Sequence, residues 1–303
     1  MAIGCNCSAG LSNTGQPNCV TLQSVTSKLI LVPLKANDGT LNRITLATPI
    51  TATTFTSLTN HLDPSKRWYP VGAFENVEMP KADSIFEEAN SGRKAFLRQG
   101  VRSFAGELWS NYATPQFLGK LLADRCVAFG VYIIDVNGNL VGSNDGTYLS
   151  PIPVDNASFD PKLMFATDST TGKIMVAFDF DRLFDESTLW IITPTEGLID
   201  FNILTGLMDV NFTNIVTSGL TAFTFKAVLS YGTAINPLLY TGALTTEWIL
   251  TNYVTGVVLP ATTTETSVAG TYTITPTAPF VAGTQYKLRV NKVGFDGARI
   301  WTA

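Results

Sequence analysis

Hydrophobic and polar positions alternate with period two in several stretches, which is the signature of half-buried strands. In Val25–Leu34, Val25, Ser27, Leu29 and Leu31 alternate with Thr26, Lys28 and Ile30 until Pro33 stops the run. Asn37-Asp38-Gly39 predicts a turn, and Leu41–Leu46 its returning hairpin partner. Arg102–Trp109 places Phe104, Gly106 and Leu108 on one side. The spacing then changes. Thr114-Pro115 reads as N-cap and first helical residue, and Phe117, Leu118, Leu121 and Leu122 form one apolar stripe of a helix. Cys126, just beyond it, reads as a small core residue. Val127–Val136 is too apolar for an exposed strand and predicts a central one, closed by an Asn137-Gly138 hairpin turn with Asn139–Gly142 as the return. In Lys173–Arg182, Ile174, Val176, Phe178 and Phe180 share one face; Lys173, Met175, Ala177, Asp179 and Asp181 share the other.

Between these elements lie an arm rich in Gly, Asn and Ser over 1–20 and a long connection over 48–82 with no clear period. A domain boundary is expected near Ser218-Gly219. It divides the chain into 1–219 and 220–303. Beyond it, short strands recur about every ten residues: Phe223–Tyr231, Thr246–Asn252, Gly256–Leu259, Gly270–Thr275, Thr284–Lys292 and Ala298–Thr302. Some 85 residues suit one immunoglobulin-sized sandwich, though six strands is one fewer than usual. The expected fold class is mainly β.

Composition narrows the function. Of 303 residues only 15% are charged, 45% are hydrophobic, the net charge is −4 and there is one His. Disorder requires low hydrophobicity and high charge, and a nucleic-acid clamp requires a basic excess. No apolar run is long enough for a membrane helix, so no membrane insertion is expected. Thr, 40 residues of the chain, supplies much of the polar surface and favours strands. A surface this poor in charge has little repulsion to keep copies apart. The first residues lack a basic segment and an apolar segment, so no signal peptide is expected. Cys5, Cys7, Cys19 and Cys126 lack zinc-site spacing and read as free thiols.

Chemistry requires ionisable groups that converge. His61, in Asn60-His61-Leu62-Asp63-Pro64, has no nucleophile elbow to serve and reads as a loop residue. Asp179, Asp181, Asp185 and Glu186 form an acidic cluster, readable as paired carboxylates or as a solvated face. Asp135-Val-Asn137-Gly138-Asn139 mimics the start of a calcium loop but lacks the distal Glu, and the hairpin turn already accounts for it. Glu87-Glu88 beside Arg93 and Lys94 reads as an exposed helix or turn. An enzyme is not expected, nor is any cofactor or metal.

Two segments carry a resemblance. Arg102-Ser-Phe-Ala-Gly-Glu-Leu, Thr114-Pro-Gln-Phe-Leu-Gly-Lys-Leu-Leu and Cys126-Val-Ala-Phe-Gly-Val-Tyr-Ile-Ile-Asp-Val-Asn-Gly-Asn-Leu-Val-Gly, followed by the strand at 173–182, resemble tail tube proteins of tailed phages that infect Bacteroidetes. Thr246-Glu-Trp-Ile-Leu-Thr-Asn, Gly270-Thr-Tyr-Thr-Ile-Thr and Gly283-Thr-Gln-Tyr-Lys-Leu-Arg-Val resemble the Ig-like domains appended to phage virion proteins. The resemblance implies a tail-tube-like β-barrel or sandwich with one flanking α-helix over 1–219, then an Ig-like β-sandwich. It implies a virion protein assembled in the bacterial host cytoplasm. Copies would form hexameric rings that stack into a tube for genomic DNA, beside a sheath or other tail proteins. The lumen wall would be neutral to acidic, with Lys173, Asp179 and Asp181 as candidate lumen-facing residues. The 1–20 arm and the 48–82 loop are candidates for adding to a neighbour's sheet. An outward Ig-like domain could bind host-surface glycans through Trp248 or Tyr253, unless Trp248 is the buried core Trp of the sandwich. Two other readings stand beside the tube: a head decoration or head–tail ring or terminator protein, and a carbohydrate-binding adhesin.

Overall fold

The computed structural model describes residue 15 and residues 21–47, 51–109, 112–233 and 235–303. Apart from Gly15, the predicted arm with Cys5, Cys7 and Cys19 lies outside the described residues. The chain is mainly β, with several sheets and few helices, and divides into two compact units. One holds the residues up to Phe55 together with Asp63–Leu204; the other holds Thr56–Leu62 and Thr205–Ala303.

In the first unit the strands are β1 (Thr26–Pro33), β2 (Ile44–Thr45), β3 (Tyr69–Gly72), β4 (Phe74–Glu78), β5 (Ile85–Glu88), β6 (Lys94–Arg98), β7 (Ser103–Leu108), β8 (Phe129–Asp135), β9 (Leu140–Asn144), β10 (Tyr148–Ser150), β11 (Ile152–Met164), β12 (Lys173–Phe180) and β13 (Leu189–Ile192). The helices are α1 (Ala52–Thr59), of which Ala52–Phe55 belong to this unit, α2 (Pro115–Ala123) and α3 (Pro194–Gly197). The main sheet runs β2-β10-β9-β8-β11-β12-β7-β4, with β1 on β8, β3 on β1 and β13 on β9. Every residue of β8 is buried, because both of its faces are covered. Phe129, Val131 and Ile133 join a core with Phe104, Leu108, Phe159, Ile174, Val176 and Phe178. On the other face Tyr132 stacks on Trp68 at 4.8 Å, and Phe55 meets the edges of Trp68 and Phe201 at 5.6 and 5.0 Å.

That second aromatic layer corrects the expectation for 48–82. Its described residues hold α1, a 3₁₀ turn at Pro64–Lys66, β3 and β4, and Phe55 and Trp68 are core residues. The Thr-rich helix hides its period because only Phe55 and Thr59 are fully buried among its residues. The flanking helix expected at Thr114-Pro115 is present as α2, and α1 and the four-residue α3 stand beside it. α2 is capped as predicted, with the Thr114 hydroxyl accepting from Phe117 N–H and Leu121 buried, but Leu122 faces solvent. Cys126 is exposed, not core, since the chain has already turned into a 3₁₀ helix at Asp124–Cys126. Leu41–Leu46 does not pair with β1. Lys35 and Leu41 form an isolated bridge across the turn, flanked by Ala36 N–H to Thr40 O and Asn42 N–H to Leu34 O, and β2 pairs with β10. The stretch around Glu87-Glu88 forms strands β5 and β6, not a helix.

In the second unit the strands are β14 (Met208–Ser218), β15 (Ala222–Leu229), β16 (Leu238–Leu239), β17 (Trp248–Asn252), β18 (Val258–Leu259), β19 (Ala261–Glu265), β20 (Thr271–Pro276), β21 (Gln285–Val290), β22 (Phe295–Asp296) and β23 (Ala298–Thr302). A sheet ordered β19-β20-β15-β14-β22, with β16 on β15, and a sheet ordered β18-β17-β21-β23 share one aromatic core. Phe223, Phe225 and Tyr272 come from the first sheet; Trp248, Tyr286, Leu288 and Trp301 come from the second. The inward residues alternate along β15, β17, β20 and β21, as a sandwich requires. The boundary lies at Leu204/Thr205, not at Ser218-Gly219. Gly219, with φ of 58°, makes the hairpin turn between β14 and β15, which pair from Val210↔Leu229 to Ser218↔Ala222.

Candidate functional site

The three inner strands β11, β12 and β7, with β4 at the edge, present one face to the core and one to solvent. Register decides which side chains share the outward face, because directly paired residues point the same way. Across β11 and β12 the outward pairs are Asp155↔Asp179, Asp160↔Ala177, Lys162↔Met175 and Met164↔Lys173. Across β12 and β7 they are Asp179↔Ser103, Ala177↔Ala105 and Met175↔Glu107, and β4 adds Glu75 opposite Glu107 and Glu78 opposite Ala105. The face therefore carries six carboxylates (Glu75, Glu78, Glu107, Asp155, Asp160, Asp179) against two lysines (Lys162, Lys173).

Some of these charges are tied down. Lys173 Nζ lies 2.5 Å from Glu107 Oε1. Glu107 also accepts from Trp109 Nε1 at 3.0 Å and Asn76 Nδ2 at 2.8 Å. The lysine foremost holds the Glu107 carboxyl below the usual carboxylate range. Asp179 accepts from Ser103 Oγ at 2.5 Å, and Asp160 pairs with Arg125 and Lys162. Lys173 and Asp179 thus share the predicted face. Asp181 does not: β12 ends at Phe180, and Asp181 sits in a turn where its carboxylate accepts from Leu183 N–H at 2.7 Å.

A second feature grows from the same edge. The β4–β7 ladder continues through a Lys81↔Arg102 bridge and an Ala82 N–H to Val101 O bond into the β5–β6 hairpin. Gly100 passes so close to the Ala82 carbonyl that a Cβ there would lie 1.7 Å from its oxygen, so no larger residue fits. Glu186 clamps this root. Its oxygens lie 2.8 Å from Lys81 Nζ and 2.8 Å from Arg102 Nε, and Arg102 also donates to Met79 O. The Arg102 guanidinium foremost holds the Glu186 carboxyl below its usual range. Beyond the root, every residue of β5 and β6 is exposed. Phe86 and Phe96 pair on one face, ring edge to ring at 5.7 Å, and next to them the register shifts, so that Ile85 stands opposite Arg98 and Leu97 is the extra residue of the bulge.

The acidic cluster read from the sequence does not converge. Asp179 binds Ser103, Asp185 caps the 3₁₀ helix at Glu186–Thr188, and Glu186 binds the ribbon root. Among the described residues no group of three His, Cys, Asp or Glu could hold a metal ion. The calcium-loop mimic is a turn: the fully buried Asp135 accepts from Ser24 N, Asn137 N, Asn139 N and Asn139 Nδ2. His61 lies just past α1 and is half-buried. A cavity of about 400 Å³ in the first unit is lined by Pro33, Lys35, Tyr69, Asp124, Val127 and Phe129 among others, and burial pushes the Asp124 carboxyl up. Of the two candidate sugar-stacking residues, Trp248 is buried against Phe225 and Tyr272 at 5.1 and 5.0 Å and offers no surface, because β17 alternation turns it inward. Tyr253, beyond the strand end, is exposed.

The exposed ribbon was not foreseen as a functional element. Its signal was present in Ile85-Phe86 and Phe96-Leu97, four large apolar residues among charges with no core to face.

No protein-family model matches the chain, and no curated protein matches it. Among solved structures it is similar to one described as the N-terminal part of the bacterial S-layer protein SbsC, at 13% identity and a TM-score of 0.24. The match covers 32% of this chain and 24% of that one, so the chain spans about a quarter of its length.

Proposed function

We propose that the chain is a virion structural protein, the tail tube subunit of a tailed phage, whose copies form rings that stack into a conduit for genomic DNA. The observation that carries this reading is the outward face of β11-β12-β7-β4, with its six carboxylates and two lysines. A conduit must leave DNA mobile. Each phosphate neutralised by Lys or Arg adds counterion-release affinity, and an acidic wall adds none. The second unit, a sandwich of its own, has Tyr253 rather than Trp248 as a surface aromatic.

Negative-stain microscopy of the purified chain tests the proposal. Long hollow polymers are the expected result. Isolated rings would overturn it in favour of a head–tail ring or terminator, and monomers with glycan affinity in favour of an adhesin. A polymer whose lumen is lined by basic side chains would also overturn it.

A further inference from the structure

A two-stranded ribbon is marginal in water unless something covers a face. The β5–β6 ribbon is exposed throughout, with the paired Phe86 and Phe96 exposed by 54% and 52%, and Ile85 and Leu97, beside the register shift, by 42% and 57%. Its strands pair only with each other, so each also keeps an unpaired edge. Open edges of this kind are ordinarily blunted or used. The ribbon carries no Pro and one bulge, between Ile85 and Phe86, and its charges, Glu87, Glu88, Lys94 and Arg98, disfavour indiscriminate pairing and leave an edge of complementary charge as the fitting partner.

The same unit holds a second open edge. β4 ends the main sheet and pairs with β7 on one side only. The two edges carry opposite charge. β4 exposes Glu75 and Glu78, and neither carboxylate forms an ion pair among the described residues. The β6 side of the ribbon carries Arg93, Lys94 and Arg98. Lys94 reaches Glu88 at 3.6 Å, while Arg93 and Arg98 form no ion pair among the described residues. Within one copy β4 runs on into β5 and β6 into β7, so the free edge of β6 lies on the β7 side of the ladder, opposite the free edge of its own β4.

We propose that the β6 edge of the ribbon adds as a strand to the β4 edge of a second copy of this chain. Backbone hydrogen bonds would extend the neighbour's sheet, Arg93 and Arg98 would meet Glu75 and Glu78, and the apolar ribbon faces would be covered by the neighbour's surface. The two patches differ, so the contact is heterologous. It closes a ring or propagates a filament according to the rotation between copies. The proposal takes from the tube reading only that the partner is another copy, and it names the surfaces that join them.

Charge reversal tests it. Arg93→Glu/Arg98→Glu makes ribbon and edge both acidic; Glu75→Arg/Glu78→Arg makes both basic. Each variant alone is expected to self-associate at least about tenfold more weakly than the native chain in a sedimentation concentration series, because like charges then face each other. Mixed in equal amounts, the two variants are expected to recover association, since acidic ribbon meets basic edge and basic ribbon meets acidic edge. Misfolding of either variant would not be rescued by mixing, so recovery separates a lost contact from a lost fold. Native-like association of either variant alone, failure of the mixture to recover with both circular dichroism spectra native, or a native chain monomeric at every concentration would overturn the proposal. Hollow tubes from the native chain that ignore the charge reversals would overturn this contact and leave the tube reading standing. Oligomers that obey the swap without forming hollow polymers would do the opposite.

Discussion

Replacing Asp135 with Ala separates a structural carboxylate from a metal ligand. Asp135 is fully buried at the end of β8 and accepts four hydrogen bonds, from Ser24 N at 3.0 Å, Asn137 N at 2.9 Å, Asn139 N at 2.9 Å and Asn139 Nδ2 at 2.8 Å. Asn139 is itself 4% exposed, so two of the orphaned donors would have no water to turn to. A hydrogen bond to a charged group contributes about 1.5–3 kcal/mol, and a buried donor left unpaired loses about 1–3 kcal/mol. Those terms overlap, because Ser24 and Asn137 are near enough to the surface to recruit solvent. The two Asn139 donors alone then set a destabilisation of about 3–5 kcal/mol for the first unit. With a urea dependence of about 2 kcal/mol per molar, the midpoint of that unit should fall by about 1.5–2.5 M. The assay is urea unfolding followed by circular dichroism, with the transition of the second unit as internal reference. The chain has two units, so two transitions are fitted separately. The parallel measurement adds millimolar calcium to the native chain. A turn carboxylate already saturated by donors gains nothing, whereas a calcium site would raise stability by mass action. An unchanged midpoint in Asp135→Ala, or a calcium-dependent rise in the native midpoint, would refute the assignment.

Further expectations concern other elements. Trp248→Ala should destabilise the second unit by about 3–5 kcal/mol as a buried aromatic lost from the sandwich, while Tyr253→Ala should leave its melting temperature nearly unchanged; thermal melting checks both. Thr114→Ala removes the cap of α2 and should cost about 1 kcal/mol in urea unfolding. Glu186, held below its usual range by Arg102 and Lys81, supports the ribbon root fully above the unfolded carboxyl value near pH 4.3, and that support is lost as pH falls through the lower folded value. Hydrogen exchange at the Ala82 and Ser103 amides should therefore gain intrinsic-rate-corrected opening below about pH 4, and Glu186→Gln should produce the same opening at pH 7.

Where a strand buries one face, the sequence announced it. β7 and β12 alternate residue by residue, and the structure buries Phe104, Leu108, Ile174, Val176, Phe178 and Phe180 as their pattern required. β8 was legible for the opposite reason, an unbroken apolar run that needs cover on both faces. The element providing part of that cover was illegible. α1 reads Ala-Thr-Thr-Phe-Thr-Ser-Leu-Thr and works through one buried aromatic, Phe55, so no stripe emerges. β11 was missed because Pro153 and Pro161 argue against a strand; a register shift between Asp155 and Asp160 interrupts its pairing with β12. Gly219 misplaced the domain boundary because a hairpin glycine and a linker glycine look alike in one dimension. Of the candidate site, Lys173 and Asp179 were foreseen. The rest of the acidic face depends on which strands lie beside β12, and cross-strand register is not written in local sequence.

Register also gives the two proposed surfaces opposite salt responses, and so a way to weigh them against each other. The chain has 24 acidic and 20 basic residues, yet the outward face collects six carboxylates and two lysines. Once Arg125, bound to Asp160, is counted with the two lysines, copies arranged with these faces inward bring a surplus of about three negative charges each into one lumen, and about one where a neighbour's Arg93 and Arg98 meet Glu75 and Glu78. Charges across a lumen are separated by more than the Debye length of about 10 Å at 0.1 M salt, and are screened there, but not at 0.01 M, where the length is about 30 Å. The ribbon–edge pairs, at contact distance and partly covered by apolar side chains, are screened less. Raising salt from about 0.01 to 0.15 M should therefore strengthen polymerisation of the native chain. The same change should weaken the isolated contact between the two charge-reversed variants at dilutions where only pairs form. Light scattering across that range measures the first and sedimentation of the dilute mixture the second. A monotonic loss of native assembly with salt would mean that the acidic faces do not look at one another across a lumen, and the ribbon contact would then have to build something other than a tube.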